Sequence, residues 1–117
     1  MSPVLLVAVG GVAGALVRAG VAEVVPHEPG TWGWSTIAVN ALGAAVLTAL
    51  LARRPDRRWR LLVGTGAIGG FTTFSGFAVD AVLLADAGRP ALAGAYVLVS
   101  VVTLLAAGLA GARSVRR

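Results

Sequence analysis

Apolar residues fall into four long blocks, each close to the roughly 20 residues that a helix needs to cross a bilayer. The first runs from about Val4 to Val25 and is interrupted by Arg18 and Glu23. The second runs from about Trp32 to Ala52 and carries one amide, Asn40. The third runs from about Leu61 to Ala85 and is interrupted near its middle, and the fourth runs from about Ala91 to Ala112. Helix breakers separate the blocks: Pro26-His27-Glu28-Pro29-Gly30, a basic loop from Arg53 to Arg60 containing Pro55, and the turn Asp86-Ala87-Gly88-Arg89-Pro90. The pattern predicts an all-α membrane protein: one domain over residues 1–117, with four transmembrane helices and a break in the third.

Composition supports the membrane reading. Of 117 residues, 57% are hydrophobic and only 13% charged, and mean hydropathy is +0.86. A soluble domain of this size needs more charge to cover its surface, so the surplus apolar area must face lipid. Cysteine is absent, which excludes disulfides, thiolate metal sites and cysteine nucleophiles. The single histidine, His27, cannot form a cluster. There is no Ser-His-Asp grouping and no phosphate loop, so the chain reads as no enzyme. Asp80 and Asp86, near the end of the third span, read as interfacial.

Net charge is +5 and every basic residue is arginine. The arginines lie between or after apolar blocks, a distribution of cytoplasmic loops rather than of a nucleic-acid surface. The N-terminus, the second loop and the C-terminus share one side and carry Arg53, Arg54, Arg57, Arg58, Arg60, Arg113, Arg116 and Arg117. The other side carries only Arg89, so the positive-inside rule puts both termini in the cytoplasm. No positive side chain precedes the first apolar block, which also exceeds signal-peptide length, so it reads as a retained membrane helix.

Small residues are dense, including Gly10, Gly11, Gly14, Gly43, Gly64, Gly66, Gly69 and Gly70. In lipid they allow helices to approach closely, and a bundle this small points to oligomerisation. The third block contains Gly69-Gly70-Phe71-Thr72-Thr73-Phe74-Ser75-Gly76-Phe77. Paired glycines followed by two threonines make a poor helix. Carbonyls freed there must be satisfied, either by a cation or by the protein's own donors. Phe74 and Phe77 share a helix face, where positive ring edges could line an anion path or simply pack.

Asn40 could donate to an anion or cross-link helices, and Thr36 lies one turn before it. Tyr96, Ser100 and Thr103 form a polar stripe that could line a dehydrated path or bond back to its own carbonyls. Arg18 could bond the carbonyls at a helix end, snorkel to the interface, or attract anions.

Taken together these residues resemble the Fluc family of bacterial fluoride channels, also called CrcB. The likeness rests on Gly10–Arg18 (GGVAGALVR), on Gly30-Thr31 and Val39-Asn40-Ala41-Leu42-Gly43, and most specifically on Gly69–Phe77 (GGFTTFSGF). It implies an antiparallel dimer in a bacterial plasma membrane that exports fluoride passively through two narrow pores. It implies a structural, untransported sodium ion at the dimer centre, held by carbonyls of Gly69 and Thr72. Phe74 and Phe77 would then present ring edges to fluoride, Asn40 would donate to it, and Tyr96 and Ser100 would belong to a polar track. Such a lining would replace the ion's hydration in steps.

Two departures stand out. Leu104 follows Ser100 by one turn, where the family often continues its hydroxyl track; Thr103 is about 100° away around the helix. The arginine bias predicts one fixed orientation, which suits pairing with a homologous subunit of opposite orientation. The alternatives are a non-conducting partner subunit and a small multidrug exporter, a proton-coupled transporter whose one candidate carboxylate in the first span is Glu23.

Overall fold

The computed structural model describes residues 1–115, so Arg116 and Arg117 of the basic C-terminus lie outside the described residues. Helix α1 is Pro3–Val24, α2 is Trp34–Ala52 and α5 is Pro90–Arg113. The third span covers Arg57–Asp86 and is two helices, α3 (residues 57–71) and α4 (Phe74–Asp86), on either side of an extended Thr72-Thr73. All four spans are long and apolar enough to cross a membrane, and among the described residues there is no strand. This is a multi-pass membrane protein.

The helix ends follow local chemistry. The Ser2 hydroxyl accepts from Leu5 N–H at 3.2 Å, with Pro3 in the first turn of α1. Asp56 caps α3 by accepting from Trp59 N–H at 3.1 Å. The basic loop is therefore shorter than the sequence suggests. Arg57, Arg58 and Arg60 are already helical, because Asp56 after Pro55 starts a helix inside the charged run.

Within α3, residues Arg60–Ile68 wind as a π-helix. Nothing in the sequence announces this. The run Gly64-Thr65-Gly66-Ala67 has no large apolar residue to fix a period, and its glycines have weak α-helical preference.

Two parallel pairs build the bundle. In the first, α1 lies against α3 through a seam of glycines. A Cβ on Gly10 would overlap the Leu62 carbonyl, one on Gly14 the Ala67 carbonyl, and one on Gly70 the Gly11 carbonyl. Such backbone contact is how helices associate where lipid removes the hydrophobic drive between them. In the second, α2 lies against α5: Gly111 meets the Ala45 carbonyl, and the Thr48 hydroxyl donates to the Gly108 carbonyl at 2.7 Å.

The apolar core is small. Ile37, Leu84, Ala93 and Tyr96 form it, with Trp32 and Phe77 packed against them. Most large apolar residues, such as Val4, Leu16, Leu98 and Leu105, face outward.

Candidate functional site

The break in the third span is the centre of the site. Thr72 (φ −79°, ψ 158°) and Thr73 (φ −145°, ψ 114°) are extended. In a continuous helix, the N–H groups of Thr73 and Gly76 would serve the carbonyls of Gly69 and Thr72. Here Thr73 N–H donates to Asn40 Oδ1 at 2.7 Å, and Gly76 N–H donates to Thr73 Oγ1 at 2.9 Å. Two other carbonyls of the segment have side-chain donors. Asn40 Nδ2 donates to the Thr73 carbonyl at 2.9 Å, and Arg18 Nε donates to the Gly70 carbonyl at 3.2 Å. The sequence left Asn40 and Arg18 each with alternatives. In the structure Asn40 cross-links α2 to the break, and Arg18 bonds a carbonyl at the end of α3, where the helix dipole favours a cation.

Gly43 explains how α2 comes so close. A Cβ there would overlap the Thr72 methyl group. Asn40 and Gly43, three residues apart on one face of α2, thus hold one threonine by its backbone and leave room for the other.

Two open cavities flank the break. The first, about 400 Å³, is lined by Asn40, Gly69, Thr72, Phe74, Phe77 and Ser100 among others, and Leu104 also borders it. It is mainly apolar. The Ser100 hydroxyl is buried and has no hydrogen-bond partner among the described residues. Phe74 is 79% exposed and tilts 54° against Phe77 at a centroid distance of 5.8 Å. The second cavity, about 410 Å³, is lined by Arg18, His27, Thr36, Thr73, Ser75 and Asp80 among others.

The structure therefore divides the residues singled out from sequence. Asn40, Gly69, Thr72, Phe74, Phe77 and Ser100 share one cavity, whereas Arg18 and Thr36 line the other. Tyr96 is fully buried between them: its ring stacks on Phe77 at 5.9 Å and meets Trp32 edge-on at 5.2 Å. Thr103 bonds back to the carbonyls of Val99 and Ser100, so of its two sequence alternatives the local one is realised. Glu23 is exposed in the last turn of α1 and lines neither cavity.

One cluster escaped the sequence analysis. Asp80, read there as interfacial, is 8% exposed. Its Oδ1 lies 2.9 Å from His27 Nε2, and its Oδ2 accepts from the Tyr96 hydroxyl at 2.8 Å. Gly33 admits the cluster, since a Cβ there would stand 2.9 Å from His27 Nε2. The signal was Tyr96 itself, whose hydroxyl needs a partner once its ring is buried.

Comparison with known proteins gives a consistent result. A family model described as CrcB-like protein, Camphor Resistance (CrcB), matches residues 5–112. A protein of Halobacterium salinarum named fluoride-specific ion channel FluC 1 is 46% identical, over 92% of this chain and 87% of its own. Proteins named fluoride-specific ion channel FluC from Rhizobium leguminosarum bv. trifolii and Hyphomonas neptunium are 42% and 39% identical. The first alignment covers 95% of this chain and 94% of that protein, the second 100% and 98%.

Proposed function

The chain belongs to the CrcB family, and from that premise we propose that it is a subunit of a fluoride-selective channel, no enzyme, that lets fluoride leave the cytoplasm passively. The observation that carries the reading is the cavity beside the break. Phe74, Phe77, Asn40 and Ser100, whose buried hydroxyl is unpartnered among the described residues, line it, and none of the four carries a full charge. Fluoride is small and strongly hydrated. Such a lining exchanges its water for weak donors and positive ring edges one contact at a time, and a larger anion fits it less well. Asn40 spends one N–H on Thr73 and has a second to offer.

The carbonyls of Gly69 and Thr72 fit a structural sodium ion. Their helical donors are diverted, and the Cβ position of Gly69 faces open space. Unwound carbonyls at membrane depth are suited to such a cation. One chain supplies only part of a shell, which accords with an antiparallel dimer in which a second copy supplies the rest. The bias of eight arginines to one favours cytoplasmic termini in a plasma membrane and a homologous partner of opposite orientation. Leu104, on the cavity wall in place of a hydroxyl, favours a non-conducting role only if fluoride passes through the partner's track alone.

Fluoride efflux from liposomes holding the purified chain, read by electrode against a chloride control, tests this. Fast fluoride-selective release is expected. If release requires a co-reconstituted homologue, the heteromeric form holds. If neither preparation releases fluoride faster than protein-free liposomes, the reading fails.

A further inference from the structure

We propose that the basic face of the bundle is a docking surface for anionic phospholipid headgroups. The proposal needs only that the helices cross a membrane, not the identity of the ion. The chain turns from α2 to α3 through Arg53 and Arg54, and Arg57, Arg58 and Arg60 follow within the first turns of α3. All five are exposed. Because α2 and α5 run parallel, Arg113 in the last turn of α5 reaches the same face.

Among the described residues none of these guanidiniums is in an ion pair, and the one acid–base side-chain contact is His27–Asp80, on the other half of the bundle. The single acid in the stretch, Asp56, caps α3 and offsets only one of the five positive charges. Arg57 and Arg58 also lie in a helix's first turn, where the dipole adds to their positive field. Arg54 sits in the left-handed region (φ 53°), which turns the chain sharply between α2 and α3.

Trp59, 56% exposed, and Leu51, 47% exposed, lie among the arginines. Tryptophan at this level marks the zone of the headgroups. A juxtamembrane cluster of arginines is drawn to an anionic leaflet, and guanidinium forks match phosphate in two-point contacts. A zwitterionic headgroup offers the same phosphate with its charge cancelled, so the surface should discriminate by net lipid charge.

Trp59 is a built-in reporter. In the Trp32→Phe, Trp34→Phe double variant, Trp59 is the remaining tryptophan, and its fluorescence is quenched by neighbouring brominated lipid. Vesicles would contain brominated phosphatidylglycerol or brominated phosphatidylcholine at equal mole fraction. We expect at least about twofold stronger quenching by the anionic lipid, falling to parity in high salt. Parity is also expected when Arg53, Arg54, Arg57, Arg58 and Arg60 are changed to Gln.

Equal quenching of Trp59 by both lipids, or a preference that survives the arginine changes, would each overturn the proposal. Native mass spectrometry of the unmodified chain gives an independent reading: retained phosphatidylglycerol over phosphatidylcholine supports it, and equal retention refutes it.

Discussion

Asn40→Ala removes both hydrogen bonds from α2 to the Thr73 backbone, one to its N–H at 2.7 Å and one to its carbonyl at 2.9 Å. Two backbone groups at membrane depth are then left without partners. Orphaning a buried polar group costs about 1–3 kcal/mol, which gives about 2–6 kcal/mol for the pair. Hydrogen bonds between helices in lipid measure lower, about 0.6 kcal/mol on average, because the separated helices also find partners.

Thr73 N–H cannot reach its helical partner without straightening the span, and Thr72 is already packed with its methyl beside Gly43. The low figure therefore does not apply in full, and about 2–3 kcal/mol is expected. Unfolding of the purified protein in mixed detergent measures it, and hydrogen exchange at the Thr73 amide localises it. Asn40→Asp keeps an acceptor for Thr73 N–H but loses the donor to its carbonyl, so it should fall between alanine and wild type. Wild-type stability in Asn40→Ala together with a still-protected Thr73 amide would refute the reasoning.

Other changes separate packing from permeation. Gly10→Val forces a branched side chain into the Leu62 carbonyl and should destabilise by about 1–3 kcal/mol or abolish folding, read by thermal unfolding. Asp80→Ala leaves the buried Tyr96 hydroxyl only the long contact to the Gly33 carbonyl at 3.5 Å and should cost about 1–3 kcal/mol, with Asp80→Asn milder because its carboxamide oxygen still accepts. His27→Ala should cost less than about 1 kcal/mol, since the His27 side chain is 25% exposed and its pairing is screened, and unfolding of the two variants side by side shows the ranking. Phe74→Ala should leave stability within about 0.5 kcal/mol, because the ring is 79% exposed, yet should reduce fluoride efflux.

The spans were legible because crossing a bilayer sets a length, and Val4–Val25 against the observed Pro3–Val24 shows how little the ends moved. The break was legible because paired glycines and paired threonines each disfavour helix, and the two extended residues are those threonines. What Asn40 does was not legible, because its partner is 33 residues away and either an anion or a backbone would satisfy an amide. The burial of Asp80 was not legible for the same reason, since the partners that hold it come from the loop before α2 and from α5. The π winding of α3 left no trace, since a run of small residues carries no period.

The hydrogen-bond account of the break is uneven in a way that bears on function. Gly70 and Thr73 have their carbonyls met by Arg18 and Asn40, side chains on α1 and α2 that fix the segment from within the chain. Gly69 and Thr72 have had their helical donors taken, and both border the cavity that Phe74 overlooks. Backbone oxygens cannot be left facing hydrocarbon. The contacts that take those donors, Asn40 Oδ1 on Thr73 N–H and Thr73 Oγ1 on Gly76 N–H, leave the two oxygens in need of something polar on the open side. On the proposed reading a cation and a second subunit would meet that need together, and both would trace to the two diverted N–H groups, Thr73 N–H to Asn40 and Gly76 N–H to the Thr73 hydroxyl.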